Sequence, residues 1–296
     1  MKGANDMDTY KFHGMTLHFL DGNRGRMDGG RYFGPLPRAV WGSRVPYDDD
    51  NMIAEQDDPI LIQYKGRNLL IDAGYANSKM SEKMLRNEGV LSENMTVASL
   101  ATLGLTPEDI DTVLLTHMHY DHASGLTYKE GEEILSQFPH AKIYVSETEL
   151  YEAMHPNART RGTYAEDNWQ PILSQFETFT DHIEIMEGID MYLMGGHSKG
   201  ISNVVLTQEG QRMIHLSDNM PMNFHNKSVY VTGLDDYPMD TIAAKQHWFE
   251  EGIKRGDAFF FYHDAYYTFV KWDSTGKQII DCQRRSTPAY LPMEDK

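Results

Sequence analysis

The tightest constraint on this chain is the stretch Thr116-His117-Met118-His119-Tyr120-Asp121-His122, in which histidines and an aspartate follow the order H-x-H-x-D-H. The run before it, Asp111-Thr112-Val113-Leu114-Leu115-Thr116, is β-branched and leucine-rich and reads as a buried strand. A strand that ends by delivering imidazole and carboxylate groups into a loop reads as a metal site built on a rigid edge. That donor set suits zinc, iron, manganese or cobalt. Chance clustering of these residue types in this order is rare enough to set aside.

Composition narrows the reading further. The 296 residues, 40% hydrophobic and 24% charged, suffice for one large α/β domain or two small ones. A net charge of −17, spread along the chain, argues against a polyanionic partner, because nucleic-acid binding needs phosphate neutralisation by Lys and Arg. Cys282 is the single cysteine, which rules out an intrachain disulfide and a cysteine-based zinc site. Any metal must rest on histidines and carboxylates, and a reducing compartment is expected. Met1 to Leu20 is polar and lacks the apolar stretch of a signal peptide, and no window is apolar for long enough to span a bilayer. The expectation is a cytoplasmic protein with no membrane partner.

Along the chain, Met15–Leu20 reads as a first strand. A long polar, glycine-rich loop at 21–58 follows, carrying Asp28-Gly29-Gly30, Phe33-Gly34-Pro35-Leu36-Pro37 and Trp41. Loops of that length usually serve function, and its aromatics favour a binding loop over a linker. Pro59–Tyr64 and Leu69–Asp72 read as a hairpin turning at Gly66. Ser78–Leu91 and Thr96–Leu103 look helical, Lys142–Val145 is a strand, and Ser146–Glu149 opens a helix with a capping-box pattern. Residues 151–180 read as a helical insertion. Strands resume at Ile183–Met186, Met191–Met194, Val204–Leu206 and Arg212–Leu216. Pro238–Arg255 is a helix stopped at Gly256, and Ala258–Tyr262 and Thr268–Trp272 close the chain. The alternation predicts a single α/β domain over 1–296 whose sheets mix parallel and antiparallel neighbours.

Four ligands are too many for one closed tetrahedral zinc and too few for two metals with bound water. Three further residues stand at strand ends among small neighbours: His197 in Gly195-Gly196-His197-Ser198, Asp218 in Leu216-Ser217-Asp218-Asn219, and His263 in Tyr262-His263-Asp264. A lone histidine in such a place is more often structural, but three at equivalent positions after so strong a cluster reverse those odds.

In this order and spacing the set resembles the metallo-β-lactamase superfamily, and within it the N-acyl-homoserine lactone lactonases. The loop with Asp28-Gly29-Gly30 and Phe33–Pro37, the run Leu234-Asp235-Asp236-Tyr237-Pro238-Met239, and Tyr262–Tyr267 are similar to a quorum-quenching lactonase branch. The resemblance runs from about residue 15 to residue 285. It implies a four-layer αββα sandwich with a dinuclear site at the sheet edges. His117, His119 and His197 would hold one ion, Asp121, His122 and His263 the other, and Asp218 would bridge them. Zinc is the first expectation for both ions, with manganese, cobalt or iron as alternatives, and a homodimer is plausible by the same resemblance.

Two such ions lower the pKa of a shared water and polarise an ester carbonyl, so the expected reaction is opening of a lactone ring by a hydroxide. Asp121 would serve as ligand and as proton carrier to the leaving alkoxide. Phe33, Leu36, Trp41, Phe224 and Tyr266 are candidates for an apolar wall along an acyl chain, with core packing the alternative for each. Lactonases of this group carry a tyrosine three residues after the bridging aspartate. Pro221 stands there, so that role would pass to Tyr266 or Tyr267, or to metal-bound water alone. Organophosphate or aryl-ester hydrolysis is the nearest alternative, and a binding or sensor module that keeps metal without turnover is an alternative of another class. A β-lactamase is disfavoured by His122 and by Cys282 lying past the last ligand, a flavodiiron enzyme by His119, and a nuclease by the charge.

Overall fold

Ile60–Tyr64 and Arg67–Ile71 form a hairpin whose two turn residues, Lys65 and Gly66, have φ of +49° and +74°. Left-handed values at both positions give the turn the twist of its flanking strands. In the computed structural model of the chain, residues 7–293 are described, so Met1–Asp6 of the polar N-terminal segment lie outside the described residues. The chain divides into two compact units: residues up to Asn23 with Asp57–Asp181, and Arg24–Gln56 with residues from His182 onward.

In the first unit the hairpin sits inside a seven-stranded sheet. Its order is Asp8–Phe12, Met15–Phe19, Ile60–Tyr64, Arg67–Ile71, Thr112–Leu114, Lys142–Ser146 and Phe176–Phe179. The first four strands are antiparallel neighbours, and from Arg67–Ile71 onward the pairs are parallel. Thr112–Leu114 is buried throughout, as a central strand covered on both faces must be. Leu61, Leu70, Leu100, Val113, Ile143 and Val145 belong to one core cluster. The parallel register brings the carboxyl ends of three strands to one edge, and there stand Asp72, the 116–122 loop and Ser146–Glu149. Carboxyl ends of parallel strands are where α/β sheets carry their sites.

The second unit has its own seven-stranded sheet, which takes its strands in chain order: His182–Met186, Ile189–Leu193, Ser202–Gln208, Gln211–His215, Ala258–Phe260, Tyr267–Trp272 and Ile279–Arg284. Only Gln211–His215 and Ala258–Phe260 pair in parallel, and a helical crossover joins them. That crossover runs Pro238–Lys245, a π-helical turn Gln246–Glu250, and Glu251–Arg255. It ends at Gly256, whose φ of +82° suits a residue without a Cβ. Val205, Ile214, Phe249, Phe259, Val270 and Trp272 belong to the core of this unit. Among the described residues no helix is long and apolar enough to cross a membrane.

Several expectations need correction. The 21–58 segment contains a two-stranded ribbon of Asn23–Asp28 and Met52–Asp57, with short helices at Gly29–Phe33 and Arg38–Trp41. Asn23–Asp28 alternates buried and half-buried residues, but its outward positions are Arg24, Arg26 and Asp28, so hydropathy alone hid the strand. Residues 151–180 are not a helical insertion: after the helix Glu147–Met154 come short 3₁₀ turns, and Phe176–Phe179 then joins the sheet edge. Pro156 and Pro171 and the polar run between them give no helical face to bury. The helix expected at 78–91 shrinks to Glu82–Asn87, capped by Ser81.

Candidate metal centre

The first-unit residues are built around Asp72. It follows directly on the strand Arg67–Ile71, is fully buried, and holds a φ of +54°. Its Oδ1 accepts from the Thr116 amide at 2.8 Å, and its Oδ2 accepts from Thr116 Oγ1 and from His122 Nδ1, each at 2.8 Å. A carboxylate accepts only, so His122 carries its proton on Nδ1 and presents Nε2 with a lone pair. Thr116 Oγ1, having donated to Asp72, accepts from His117 Nδ1 at 3.1 Å, which sets the same tautomer there. The ring centroids of His117 lie 4.6 Å from His119 and 4.1 Å from His122. Asp121 Oδ2 stands 3.6 Å from His122 Nε2, and at 20% the Asp121 side chain is the exposed one of that pair. His117, His119, Asp121 and His122 thus form one group.

Glu149 supports the same loop from the neighbouring strand end. It is fully buried, accepts from the Met118 amide at 2.8 Å and from Tyr164 Oη at 3.0 Å, and the Tyr164 ring lies against His119. Ser146 Oγ caps its amide at 3.0 Å, so half of the expected capping box forms while the Glu149 carboxylate is turned to the loop. Gly125 lets the chain close behind: its amide donates to Gly74 O at 2.7 Å, and a Cβ there would lie 2.0 Å from Ala73 O.

In the second unit His197, Asp218 and His263 come together from three separate turns. Asp218 Oδ2 is 3.4 Å from His197 Nε2 while its Oδ1 is 3.1 Å from His263 Nε2, so each carboxylate oxygen faces a different imidazole. The other ring nitrogens are committed: His197 Nδ1 donates to Asp235 Oδ1 at 3.0 Å, and His263 Nδ1 to Gln56 O at 3.0 Å. Asn219 holds the turn that carries His197. Its Oδ1 accepts from the His197 amide at 2.9 Å and its Nδ2 donates to Gly195 O at 2.8 Å. Gly196, at a φ of +124°, has no room for a Cβ, which would lie 2.4 Å from Asn219 Oδ1. Asp264, fully buried, accepts from the Asn223 amide and Nδ2 and from the amides of Tyr266 and Tyr267, fixing the turn beyond His263.

These spacings fit a metal. Ligand atoms bound at 2.0–2.1 Å around one tetrahedral ion stand about 3.3 Å apart. The histidine–carboxylate gaps of 3.1, 3.4 and 3.6 Å bracket that value. Histidines at metal sites are oriented by hydrogen bonds from their second ring nitrogen, and His122, His197 and His263 each make such a bond at Nδ1.

The sequence profile of the metallo-beta-lactamase superfamily matches residues 55–239. The chain belongs to that superfamily. It has the metallo-β-lactamase fold, mixed α/β with two large sheets. A probable metal-dependent hydrolase from Staphylococcus aureus is 38% identical, with 94% of this chain and 99% of that one covered at a TM-score of 0.90. The N-acyl homoserine lactonase AiiA of Bacillus thuringiensis subsp. kurstaki is 25% identical over 158 residues, 50% of this chain and 57% of that protein. The chain therefore spans little more than half the length of that curated relative. AidC, a dizinc quorum-quenching lactonase solved with a product, shares the fold at a TM-score of 0.74 and 16% identity, with 95% of this chain and 98% of that one covered.

The structure is less kind to the aromatic wall. Phe33 and Trp41, 1% and 3% exposed, stack on each other with ring centroids 5.0 Å apart and belong to the second unit's core. Tyr266 is also in that core, and its Oη donates to Leu291 O at 2.8 Å. Burial pushes its phenol pKa up, which further disfavours a proton-transfer role. Tyr267 is buried in a strand, with the Arg284 guanidinium over its ring. Packing, then, accounts for Phe33, Trp41 and Tyr266. Asp72, Glu149, Asn219 and Asp235 are the residues that sequence reasoning passed over. Asp72 had one usable signal, an acid ending the apolar run Leu69-Leu70-Ile71 beside the motif strand.

Proposed function

We propose that the chain is a dinuclear metal-dependent hydrolase that opens the ring of N-acyl-homoserine lactones. The observation that carries the reading is the pair of histidine–carboxylate groups, each oriented by buried acceptors and spaced as ligands of shared ions. Superfamily membership and the lactonase relatives support it. In this reading His117, His119 and His197 would hold one ion, Asp121, His122 and His263 the other, and Asp218 would be shared between them. The family match runs across both compact units, which supports treating them as one functional domain.

Bound there, two divalent ions supply Lewis acidity and a water of lowered pKa. The protein does the rest. Asp72, Asp235 and the Gln56 carbonyl hold three imidazoles in one tautomer, so no reorientation is needed as the reaction proceeds. Asp121, whose carboxylate is partly exposed, would take a proton at Oδ and return it to the departing alkoxide. Ring opening keeps both product ends on one molecule, so one cleft suffices. Zinc is the preferred ion on ligand type, and manganese, cobalt and iron fit the same donors.

A second reading, hydrolysis of aryl esters or organophosphates by the same residues, is favoured by Pro221 and by the burial of the aromatic candidates. Metal analysis paired with turnover of short- and long-chain N-acyl-homoserine lactones, aryl esters and a phosphotriester separates the two. About two ions per chain with lactones as the best substrates is the expected result. Phosphotriester turnover exceeding lactone turnover by orders of magnitude would sink the lactonase reading.

A further inference from the structure

Lys245 ends the helix Pro238–Lys245 and is fully buried, an uncommon place for a lysine. Its Nζ donates to Tyr230 O at 2.6 Å. The loop it grips continues through Thr232 to Asp235. Thr232 Oγ1 donates to Asp235 Oδ1 at 2.7 Å, and that same oxygen accepts from His197 Nδ1 at 3.0 Å. Beyond Asp235 the chain stays attached to the histidine turn, with the Asp236 amide donating to His197 O at 3.0 Å and the Tyr237 amide to Gly196 O at 2.9 Å. Hydrogen bonds at both ends and the backbone of the loop between them therefore lead from the lysine to a proposed ligand.

We infer that Lys245 is a positioning residue for His197, acting through the Tyr230–Asp235 loop to set how firmly the His197 Nε2 holds its metal ion. This deepens the two-metal reading and rests on it. Burial is the main influence on the Lys245 ammonium and pulls its pKa down to about 7, with Asp235 and Glu250 opposing that pull. A side chain kept inside against its own solvation costs stability. An apolar residue of similar length would fill the space at less cost, which points to a role other than packing. Orienting partners of metal-bound histidines contribute about 10- to 100-fold in metal affinity, and Lys245 stands one step further out.

The test is zinc affinity of the full chain, read by chelator competition for each bound ion, together with the melting midpoint of the metal-free protein. K245M is expected to release one of the two ions about tenfold more readily while the melting midpoint holds or rises. In a D235A background the same substitution should change zinc affinity no further. Wild-type affinity for both ions in K245M would overturn the inference and leave the two-metal reading intact, as would a lowered midpoint with unchanged affinity. An undiminished K245M effect in D235A would overturn the route through Asp235. Should K245M fail to fold, T232V carries the test, because it leaves Lys245 in place and cuts the loop's hydroxyl contact to Asp235. The same selective loosening supports the inference, and unchanged affinity overturns it. A wild-type chain that takes up no zinc would overturn both readings.

Discussion

The two halves of the proposed ligand set are built in opposite ways. In the first unit four residues come from a single short loop, and one buried carboxylate, Asp72, fixes the loop's start and the ring of His122 together. In the second unit three residues come from three turns, each with its own support: Asn219 and Asp235 for His197, the Gln56 backbone and the Asp264 turn for His263. A local cluster concentrates its dependence on one or two buried groups, whereas a dispersed one spreads it over many. Asp218 is the exception, since it faces two imidazoles at once. The difference predicts where damage is greatest.

The largest effect belongs to Asp218→Ala. It should take metal content well below two ions per chain and lower kcat/KM by about three orders of magnitude or more, measured by elemental analysis beside lactone turnover. Retention of both would remove Asp218 from the centre. Next comes Asp72→Ala, which strands the buried Thr116 amide and hydroxyl and frees the His122 ring. The expected cost is about 2–4 kcal/mol in urea unfolding of the metal-free protein, with metal affinity down about 10- to 100-fold. If Asp235→Ala proved as destabilising as Asp72→Ala, the contrast between a concentrated and a dispersed half would fail. Gly196→Ala places a Cβ 2.4 Å from Asn219 Oδ1, so it should cost about 1–3 kcal/mol and loosen the ion at His197 ahead of the one at His122.

How much of this was legible beforehand follows from the same contrast. The 117–122 ligands are close in sequence, so residue order alone disclosed them, and the hairpin at Gly66 and the stop at Gly256 were equally local. His197, Asp218 and His263 were legible only as strand-end residues among small neighbours, and the family resemblance supplied which ion each would hold. Asp72, Glu149 and Asp235 escaped, because a supporting residue is identified by the partner it reaches, and those partners lie 50, 31 and 38 residues away. The aromatics at 33, 41 and 266 went the other way. The segment of Phe33 and Trp41 read as an open loop, and the ribbon and short helices it forms instead turn both into the core, where Tyr266 joins them from the turn before Tyr267–Trp272.

A further prediction is a pH dependence confined to the second unit. His225 is fully buried, stacked on Phe33, and pushed down to about 4 by burial first and by the neighbouring Lys245 second. Folded His225 stays neutral down to about 4, whereas in the unfolded chain it takes up that proton near the ordinary histidine value of 6.5. The unfolded state therefore binds more protons in that window, and stability contributed at this site is full above about 6.5 and lost as pH falls towards 4. Urea midpoints of the metal-free protein between pH 7 and 4.5 should fall more steeply for wild type than for His225→Gln. Parallel slopes would remove His225 as the cause.

The central claim of the proposed reading is that the Asp218 carboxylate is shared between two ions. Electron paramagnetic resonance of the manganese-loaded chain tests it most directly. Two ions per chain with a spin-coupled spectrum, replaced in Asp218→Ala by reduced uptake and uncoupled signal, is what a carboxylate shared between two ions predicts. Two uncoupled ions in the wild type, or coupling that survives in Asp218→Ala, would contradict it.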